Sequence, residues 1–229
     1  MSDTVVKIAT RVDLKFIHEF LVEHFHNVEP IEVSHRMKHE RVQPNDEYLL
    51  SCINCNTTLM GYRGDTLVGV LIAGTIFANE HERNLEASKA MSGHNEKHAD
   101  VLRFISYIDE KANFCKRLDV PETLHIHHIA VHKDFKGRGI ARFLFECCVE
   151  NARKFNYHAV TVDCTSHYTA KIAEQRAFSL ISTVTYDEYH DFIGEKLFDP
   201  SFPHLQIKSY ALLLKNSSTN DDYEEHTIL

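Results

Sequence analysis

The segment His132–Arg142 carries the clearest chemical signal in the sequence, because Lys136–Ala141 places two glycines among basic and small residues. The apolar stretch Leu124–Val131 before it predicts a strand, and apolar residues recur at helical spacing through Ile140–Phe155 after it. Glycine lets the backbone approach a bulky ligand, and the free amides at a helix start attract anionic oxygens. The order of strand, glycine turn and helix therefore predicts a loop that binds a pyrophosphate.

Two common phosphate-binding loops do not fit this segment. It lacks the third glycine and the later acidic residue of a dinucleotide fingerprint, and it lacks the Gly-Lys-Ser/Thr ending of a P-loop. The segment does resemble the acetyl-CoA loop of the GNAT superfamily of N-acetyltransferases, whose pattern is Gln/Arg-x-x-Gly-x-Gly/Ala. Lys replaces the usual first residue, and Ala takes the permitted small position. The resemblance implies acetyl-CoA as co-substrate, with contacts from Lys136, Gly137, Arg138, Gly139, Ile140 and Ala141.

A second segment resembles the insect-type arylalkylamine N-acetyltransferases within that superfamily. The stretch Asp163–Phe178 is similar to the family's Ser-His-Tyr-Ser … Gly-Phe segment, with Ala177 where Gly is more usual. The resemblance implies active-site hydroxyl groups at Thr165 and Thr169, both Thr here rather than Ser. It also adds Ser166 to the residues that contact acetyl-CoA.

A third segment, Val28–Ile31, is similar to that family's Glu-Pro element, and the resemblance implies that Glu29 is the general base. The chemistry needs such a group, because an alkyl amine has a pKa near ~10.4 and roughly one molecule in a thousand is neutral at pH 7. Only the neutral amine attacks a thioester, and a carboxylate beside a partly apolar pocket can take its proton. Glu32 is the nearby alternative.

The thioester also needs groups that stabilise its oxyanion and protonate its leaving thiolate. In GNAT proteins the strand before the loop supplies backbone amides, and the resemblance carries this role to Ile129, Ala130 and Val131. Fixed amides suit the role because they need no reorganisation during the reaction. The resemblance also places Tyr168 where its hydroxyl protonates the departing thiolate, although packing of the ring at a helix start explains this residue equally well.

Histidine and cysteine residues offer alternative chemistry. His125 and His127 point to one face of the predicted strand, a spacing that zinc enzymes use, but no third ligand is evident and we predict no metal site. Either residue can instead relay a proton or line the amine pocket. The C-x-x-C pair Cys52 and Cys55 is better explained by a plain strand or turn. Cys164 has no clear base partner in the sequence, so we expect a core cysteine, and the resemblance implies direct transfer in a ternary complex.

The composition bounds the class of protein. Its 229 residues are 43% hydrophobic and 25% charged, as in ordinary globular domains, and no run of 18 apolar residues occurs, so we expect no membrane span. The start lacks the layout of a secretory signal, and we expect a cytoplasmic protein with reduced cysteines. The formal charge of −8 argues against a nucleic-acid partner and mildly favours cationic substrates. The oligomeric state stays open, and a monomer is compatible with the sequence.

The elements around these residues alternate between strands and helices without a repeat, which predicts one α/β domain. Gly61–Asp65 reads as a turn, and the polar stretch Asn79–Asp100 as an exposed, mobile connection. A helix is expected over Ser166–Arg176, capped by Thr165. The remaining predicted helices are Asp13–Phe25, Val101–Leu118 and Ile140–Phe155, and the remaining strands are Val5–Ala9, Glu47–Cys52, Thr66–Ala78, Tyr157–Cys164, Leu180–Tyr189 and Leu205–Leu214.

The resemblance implies a GNAT fold over residues 1–215, with a mixed, mostly antiparallel central sheet flanked by helices. We expect the acidic residues 216–229 to form a disordered tail. The implied activity is transfer of an acetyl group from acetyl-CoA to a primary amine, foremost an arylalkylamine such as dopamine, serotonin, tyramine or octopamine. Alternatives are agmatine or a polyamine as acceptor, a longer-chain acyl-CoA as donor, a protein substrate, or an acyl-CoA-binding sensor without turnover.

Overall fold

The computed structural model describes residues 3–35, 46–191 and 193–214. Its centre is a seven-stranded sheet in the order β1-β2-β3-β4-β5-β7-β6, antiparallel throughout except for the β4–β5 pair. The strands are β1 Val5–Ile8, β2 Leu59–Arg63, β3 Thr66–Phe77, β4 Glu122–Val131, β5 Ala159–Cys164, β6 Ser179–Thr185 and β7 Gln206–Leu213. The helices are α1 Leu14–His24, α2 Pro30–Ser34, α3 Asp46–Asn54, α4 Glu80–Met91, α5 Glu96–Ala112, α6 Phe114–Leu118, α7 Ile140–Lys154 and α8 His167–Gln175.

Helices cover both faces of the sheet, and each face has its own apolar core. On one face Leu144 and Phe145 of α7 pack against β3, β4 and β5. The backbones come close here, because a Cβ on Gly69 of β3 would lie 2.8 Å from Ile140 Cγ2. On the other face α1 and α3 pack on β2, β3 and β4 through residues such as Ile17 and Leu49. This arrangement confirms the predicted α/β class with a mixed sheet and flanking helices.

The sheet opens between β4 and β5, which positions the site described below. The two strands pair only where Leu124–Ile126 meets Val160–Val162, although β4 continues to Val131 and β5 to Cys164. In β4 the register against β3 shifts at His127, which is the extra residue of a bulge. A bulge bends its strand and re-aims the side chains beside it. One end of the sheet therefore splits into a gap with polar side chains at its base.

Two predicted boundaries near the second strand are wrong. Glu47–Cys52 forms part of α3 rather than a strand, because Leu49, Cys52 and Ile53 recur at helical spacing and are all buried. Gly61 belongs to β2, a strand that the sequence analysis missed, and the turn between β2 and β3 lies at Gly64 and Asp65. Cys52 therefore lies on α3 and Cys55 in the turn that follows it, and both cysteines are free.

The expected mobile connection over Asn79–Asp100 is also wrong, since it forms α4 and the start of α5. Side-chain caps and ion pairs take the place of an apolar stripe here. Asn95 accepts a hydrogen bond from the His98 amide at 3.2 Å. On α4 the pairs Glu80–Arg83 and Glu86–Lys89 are spaced three residues apart, which stabilises a helix whose surface is mostly polar.

The first strand, the strand before the loop, α7 and the two closing strands are confirmed within a few residues. The single helix predicted over Val101–Leu118 is instead divided between α5 and α6, and Asn113 at the break has a left-handed φ of 33°. The helix α8 begins at His167, and its cap is Ser166 rather than the predicted Thr165. The predicted acidic tail over 216–229 lies outside the described residues. Among the described helices, none is long and apolar enough to cross a membrane.

The backbone conformation of Ala177, just after the end of α8, leads to a prediction about stability. Ala177 has a left-handed φ of 60°, and the next residue, Phe178, donates its amide hydrogen bond to Ala173 at 3.2 Å. Glycine suits this position because the left-handed region crowds a Cβ atom. We expect Ala177→Gly to raise the free energy of unfolding by about 1 kcal/mol, measured by urea denaturation. Ala90→Gly inside α4 should lower it by about 1 kcal/mol, and a loss at both positions would contradict this reading.

Candidate active site

A single large cleft brings the predicted site residues together. It has a volume of about 2470 Å³ and runs from the start of α7, along the gap between β4 and β5, to the end of α1 and to α4 and α5. The loop residues lie at one end, and Glu29 faces the cleft from the turn between α1 and α2. The predicted residues on its walls are Glu29, Ile129, Ala130, Val131, Lys136, Gly137, Arg138, Gly139, Ile140, Ala141, Thr165, Ser166, Tyr168 and Thr169.

The glycine loop has the backbone shape that the sequence predicted. Gly137 and Gly139 have φ values of 75° and 78°, a region that residues with a side chain rarely adopt. A Cβ on Gly137 would meet no atom within 4 Å, so the space over the loop is open. Gly139 is the N-cap of α7, and the amides of the first turn point toward the loop. The loop therefore fits the phosphates of CoA.

Basic side chains surround this loop in a protein that is acidic as a whole. Lys133, Lys136, Arg138 and Arg142 fall within ten residues, against a formal charge of −8 for the chain. The Arg138 guanidinium lies 5.0 Å from the centre of the Phe135 ring, which orients it by a cation–π contact. The basic side chains and the positive end of the α7 dipole therefore both attract negative charge to this end of the cleft.

The backbone of β4 offers amides to the gap, but not at all three predicted residues. His132 donates its amide hydrogen bond to Val68 in β3 at 3.0 Å. Because residues of an antiparallel strand alternate in direction, the Ala130 amide also points to β3, whereas those of Ile129 and Val131 point to the gap. The structure therefore supports Ile129 and Val131 as amide donors. The backbone amide of Ala130 is directed into the ladder instead.

Glu29 is a buried carboxylate with 8% exposure, placed at the N-cap of α2. Its Oε2 accepts a hydrogen bond from the Glu32 amide at 2.8 Å, while Oε1 has no well-aligned partner among the described residues. Burial raises the pKa of Glu29 to about 7, and the negative charge of Glu32 adds to this, whereas the nearby Thr165 hydroxyl favours the ionised form. Glu29 thus has one oxygen free to accept a proton at neutral pH.

Glu32, the alternative base, is already engaged. Its carboxylate lies 2.9 Å from His26 Nδ1, and its backbone rather than its side chain contacts Glu29. The two carboxylates therefore differ in role within one short helix. Both carboxylates line the cleft, but Glu32 pairs with His26, whereas Glu29 is the buried N-cap of α2.

The hydroxyl residues lie around the start of α8. Ser166 caps the helix by accepting a hydrogen bond from the Tyr168 amide at 3.2 Å, which leaves the Thr165 side chain next to Glu29. Thr169 lies in the first turn and is partly buried. Tyr168 is 63% exposed, and its ring packs against those of His167 and His204. The ring therefore borders the open part of the cleft.

Three histidines of β4 line the inner wall of the cleft: His125, His127 and His128. The bulge places His127 and His128 on the same face as His125, and His128 stacks on Phe25 with ring centres 4.7 Å apart. Burial lowers the pKa of His125 and of His128 to about 3 and that of His127 well below its usual value. All three are neutral at pH 7. Among the described residues, no group of three potential ligands could hold a metal ion.

The cysteines do not offer a nucleophile. Cys164 is 1% exposed, and burial raises the pKa of its thiol far above neutrality. Burial also raises the pKa of Cys52 to about 12. A thiolate is the reactive form of cysteine, so neither residue is activated. Cys148 is fully buried in α7.

The sequence analysis missed several residues of the cleft. Asp109 and Asp163 line its inner end, and Tyr48 of α3 packs edge-on against His127 with ring centres 5.3 Å apart. Asp163 belongs to the segment that carried the family resemblance, so its place at the end of a strand was visible. Nothing in the sequence pattern indicated that Asp109 would lie beside it.

The fold and the cleft can now be compared with known proteins. The family model described as acetyltransferase (GNAT) family matches residues 15–173, well over half of the chain. The chain belongs to the acetyltransferase (GNAT) family. It is an acetyl-CoA-dependent amine N-acetyltransferase, as the sequence analysis predicted.

Solved N-acetyltransferase structures share the whole fold. An agmatine N-acetyltransferase is 26% identical, with a TM-score of 0.85 over 93% of this chain and 100% of its own. The polyamine N-acetyltransferase of Drosophila melanogaster, which forms N-acetylagmatine, is 26% identical, with a TM-score of 0.84 over 92% and 100%. A mosquito arylalkylamine N-acetyltransferase-like protein is 25% identical with the same TM-score and coverage. These proteins are named for different amines, so the amine that this chain accepts is a separate question.

Proposed function

We propose that this N-acetyltransferase transfers the acetyl group directly from acetyl-CoA to a small primary amine, with Glu29 as general base. The observation that carries the proposal is the position of Glu29. It is buried, has one free oxygen and a pKa near 7, and lies in the same cleft as the glycine loop. A base works best when its pKa is close to the working pH.

Each step has a group in the cleft. The neutral amine nitrogen attacks the thioester carbon, and its proton passes to Glu29, directly or through a water, while the Thr165 hydroxyl steadies the ionised carboxylate. The amides of Ile129 and Val131 face the gap and stabilise the oxyanion. The carbon–sulfur bond then breaks, and the Tyr168 hydroxyl is our candidate proton donor to the departing thiolate. The products are the N-acetyl amide and CoA.

The cysteines support direct transfer over an acyl-enzyme. A covalent route needs an ionised thiolate near the thioester, and burial keeps the Cys164 thiol protonated. A sensor that only binds acyl-CoA would need the loop but not a buried base. The combination of loop and base therefore favours turnover.

Two amine classes remain as acceptors. The rings of Phe25, Tyr48 and His128 give the cleft an aromatic wall, which suits an arylalkylamine, and the mosquito protein is named for that class. Agmatine or another polyamine is the second class, and the proteins named for agmatine and polyamines have the same fold. The solved proteins that share this fold at TM-scores of 0.84 to 0.85 are named for small amines, which favours a small amine over a peptide.

A thiol-release assay tests the proposal. Acetyl-CoA is mixed with the protein and one amine at a time: tyramine, dopamine, serotonin, agmatine, spermidine or a lysine-containing peptide. We expect release of CoA with at least one small amine and little with the peptide. If none of these amines leads to release of CoA, although acetyl-CoA raises the melting temperature of the protein, the sensor function would be favoured instead.

A further inference from the structure

The inner end of the cleft holds carboxylates that the acetyl-transfer steps do not use. Helices α4 and α5 and strand β5 bring Glu80, Asp109 and Asp163 to its wall. Glu80 is paired with Arg83 at 3.0 Å, so its charge is balanced. We call the other two, Asp109 and Asp163, the deep carboxylate pair.

The deep carboxylate pair has no cationic partner among the described residues. Asn84 Nδ2 donates to Asp109 Oδ2 at 2.7 Å, which fixes the carboxylate but brings no charge. Asp163 Oδ2 lies 3.7 Å from His125 Nε2, and that imidazole is neutral because burial lowers its pKa to about 3. No lysine or arginine described by the structure forms an ion pair with either aspartate.

One oxygen of the pair lacks even a hydrogen bond. Asp163 Oδ1 is excluded from solvent and has no partner of acceptable geometry, although the Ser209 hydroxyl is nearby. Buried charges are normally paired, because an isolated carboxylate loses its hydration without compensation. The two aspartates also repel each other, since the charge of Asp163 raises the pKa of Asp109 and burial raises both. The deep carboxylate pair thus lacks a compensating positive charge among the described residues, and a cationic ligand could supply it.

The position of the pair relative to the base sets the size of such a ligand. Asp163 precedes Thr165 by two residues along the extended end of β5, so the two Cα atoms lie roughly 7 Å apart. The Thr165 side chain is next to Glu29, where the reacting nitrogen must lie. A second positive group on the substrate would therefore sit several bonds away from the reacting amine.

We propose that the deep carboxylate pair, Asp109 and Asp163, binds a second cationic group of the amine substrate. This inference rests on the proposed function and names its substrate class. The acceptor is then a linear dication of butane or pentane length, a diamine or an aminoguanidine. One cationic end binds at Asp109 and Asp163, and the other end, the primary amine, reaches Glu29. The neutral histidines between the two ends add no competing positive charge.

The test compares dications with monocations of the same shape. The ratio of kcat/KM is measured for cadaverine over n-pentylamine and for putrescine over n-butylamine, with agmatine as the aminoguanidine. We expect the wild-type ratio to favour the dication by about tenfold or more, since a hydrogen bond to a charged group contributes at that level. Asp163→Asn and Asp109→Asn should each lower this ratio by about tenfold.

Glu110→Gln is the matched control, because it removes one carboxylate from α5 at an exposed position outside the cleft. Its ratio should equal that of the wild type. A second readout is binding: with CoA present, cadaverine should raise the melting temperature of the wild type and of Glu110→Gln, but not of Asp163→Asn. The melting temperature also shows whether each variant is folded, and the two aspartate variants check each other.

The outcomes separate this inference from the proposed function. If the wild type acetylates amines but treats monocations and dications alike, or if the ratio survives both aspartate replacements, the inference is wrong and the proposed function stands. If no amine is acetylated at all, the proposed function itself fails. Strong turnover of tyramine with no gain from a second charge would assign the cleft to arylalkylamines.

Discussion

Replacing Glu29 by Gln should lower kcat by about 10² to 10⁴, the contribution that general acid–base groups make, while acetyl-CoA affinity changes little. Glutamine keeps the size of the side chain and its place at the start of α2, but it cannot take a proton. The wild-type rate should fall as the pH drops through about 7, because Glu29 must be ionised to act as a base. In Glu29→Gln this acidic limb should vanish. Initial rates from pH 5.5 to 9, with acetyl-CoA binding measured by calorimetry, check both points.

Glu32→Gln is the matched control, since it removes the neighbouring carboxylate that pairs with His26. The charge of Glu32 raises the pKa of Glu29, so its removal should lower that pKa and move the acidic limb to lower pH. The limb itself should persist. Loss of the limb in Glu32→Gln together with its survival in Glu29→Gln would assign the base to Glu32.

Replacing Gly139 by Val should weaken acetyl-CoA binding by about 10- to 100-fold, because hydrogen bonds to a charged group contribute roughly 1.5–3 kcal/mol. Gly139 has a left-handed φ of 78° at the N-cap of α7, and Val disfavours that conformation strongly. The added side chain also occupies open space, since only Arg142 Nη2 comes near, at 3.7 Å. Calorimetric titration with acetyl-CoA measures the effect.

Gly64→Val separates strain from loss of the ligand site. Gly64 has a φ of 57° in the turn between β2 and β3, and a Cβ there meets no atom within 4 Å. Both variants should therefore lose melting temperature through backbone strain. Only Gly139→Val should also lose the further rise in melting temperature that acetyl-CoA gives. Normal acetyl-CoA affinity in Gly139→Val would refute the assignment of the loop.

The acetyl-CoA end of the site was predictable because its signal is local. The two glycines, the basic side chains and the start of α7 follow one another in Lys136–Ala141, and both glycines adopt the positive φ that glycine permits. Glu29 was likewise visible in the pair Glu29-Pro30, where proline starts α2 at its first position. In both places neighbouring residues alone determine the geometry.

The inner end of the cleft, where we propose that the amine binds, was not predictable because it depends on contacts between distant parts of the chain. The polar helix α4 buries only Ser88 and so has no apolar stripe that would reveal it. Asp109 meets Asp163 only after α4, α5 and β5 have packed together. The bulge at His127 depends on the pairing of β4 with β3, so the alternation of strand residues alone gave no indication that His128 shares a face with His125 and His127.

Which backbone amides of β4 face the gap was also not predictable from the sequence, because this too depends on contacts between distant parts of the chain. Sequence resemblance can nominate a strand as an amide donor, but it gives no information about which amides the neighbouring strand already uses. The hydrogen bond from His132 to Val68 fixes that alternation and removes Ala130 from the donor set. Pairing partners decide the chemistry of a strand edge, and they are fixed by the whole sheet.

Direct transfer of the acetyl group from acetyl-CoA to the amine is tested most directly by following a labelled acetyl group. Wild-type protein is incubated with acetyl-CoA carrying ¹³C in its acetyl group and the amine that gives the fastest thiol release, and the products are analysed by NMR and mass spectrometry. We predict one N-acetyl amide carrying the label for each CoA thiol released, and no acetylated protein. Thiol release with labelled acetate and no amide, or a label retained on a cysteine, would contradict it.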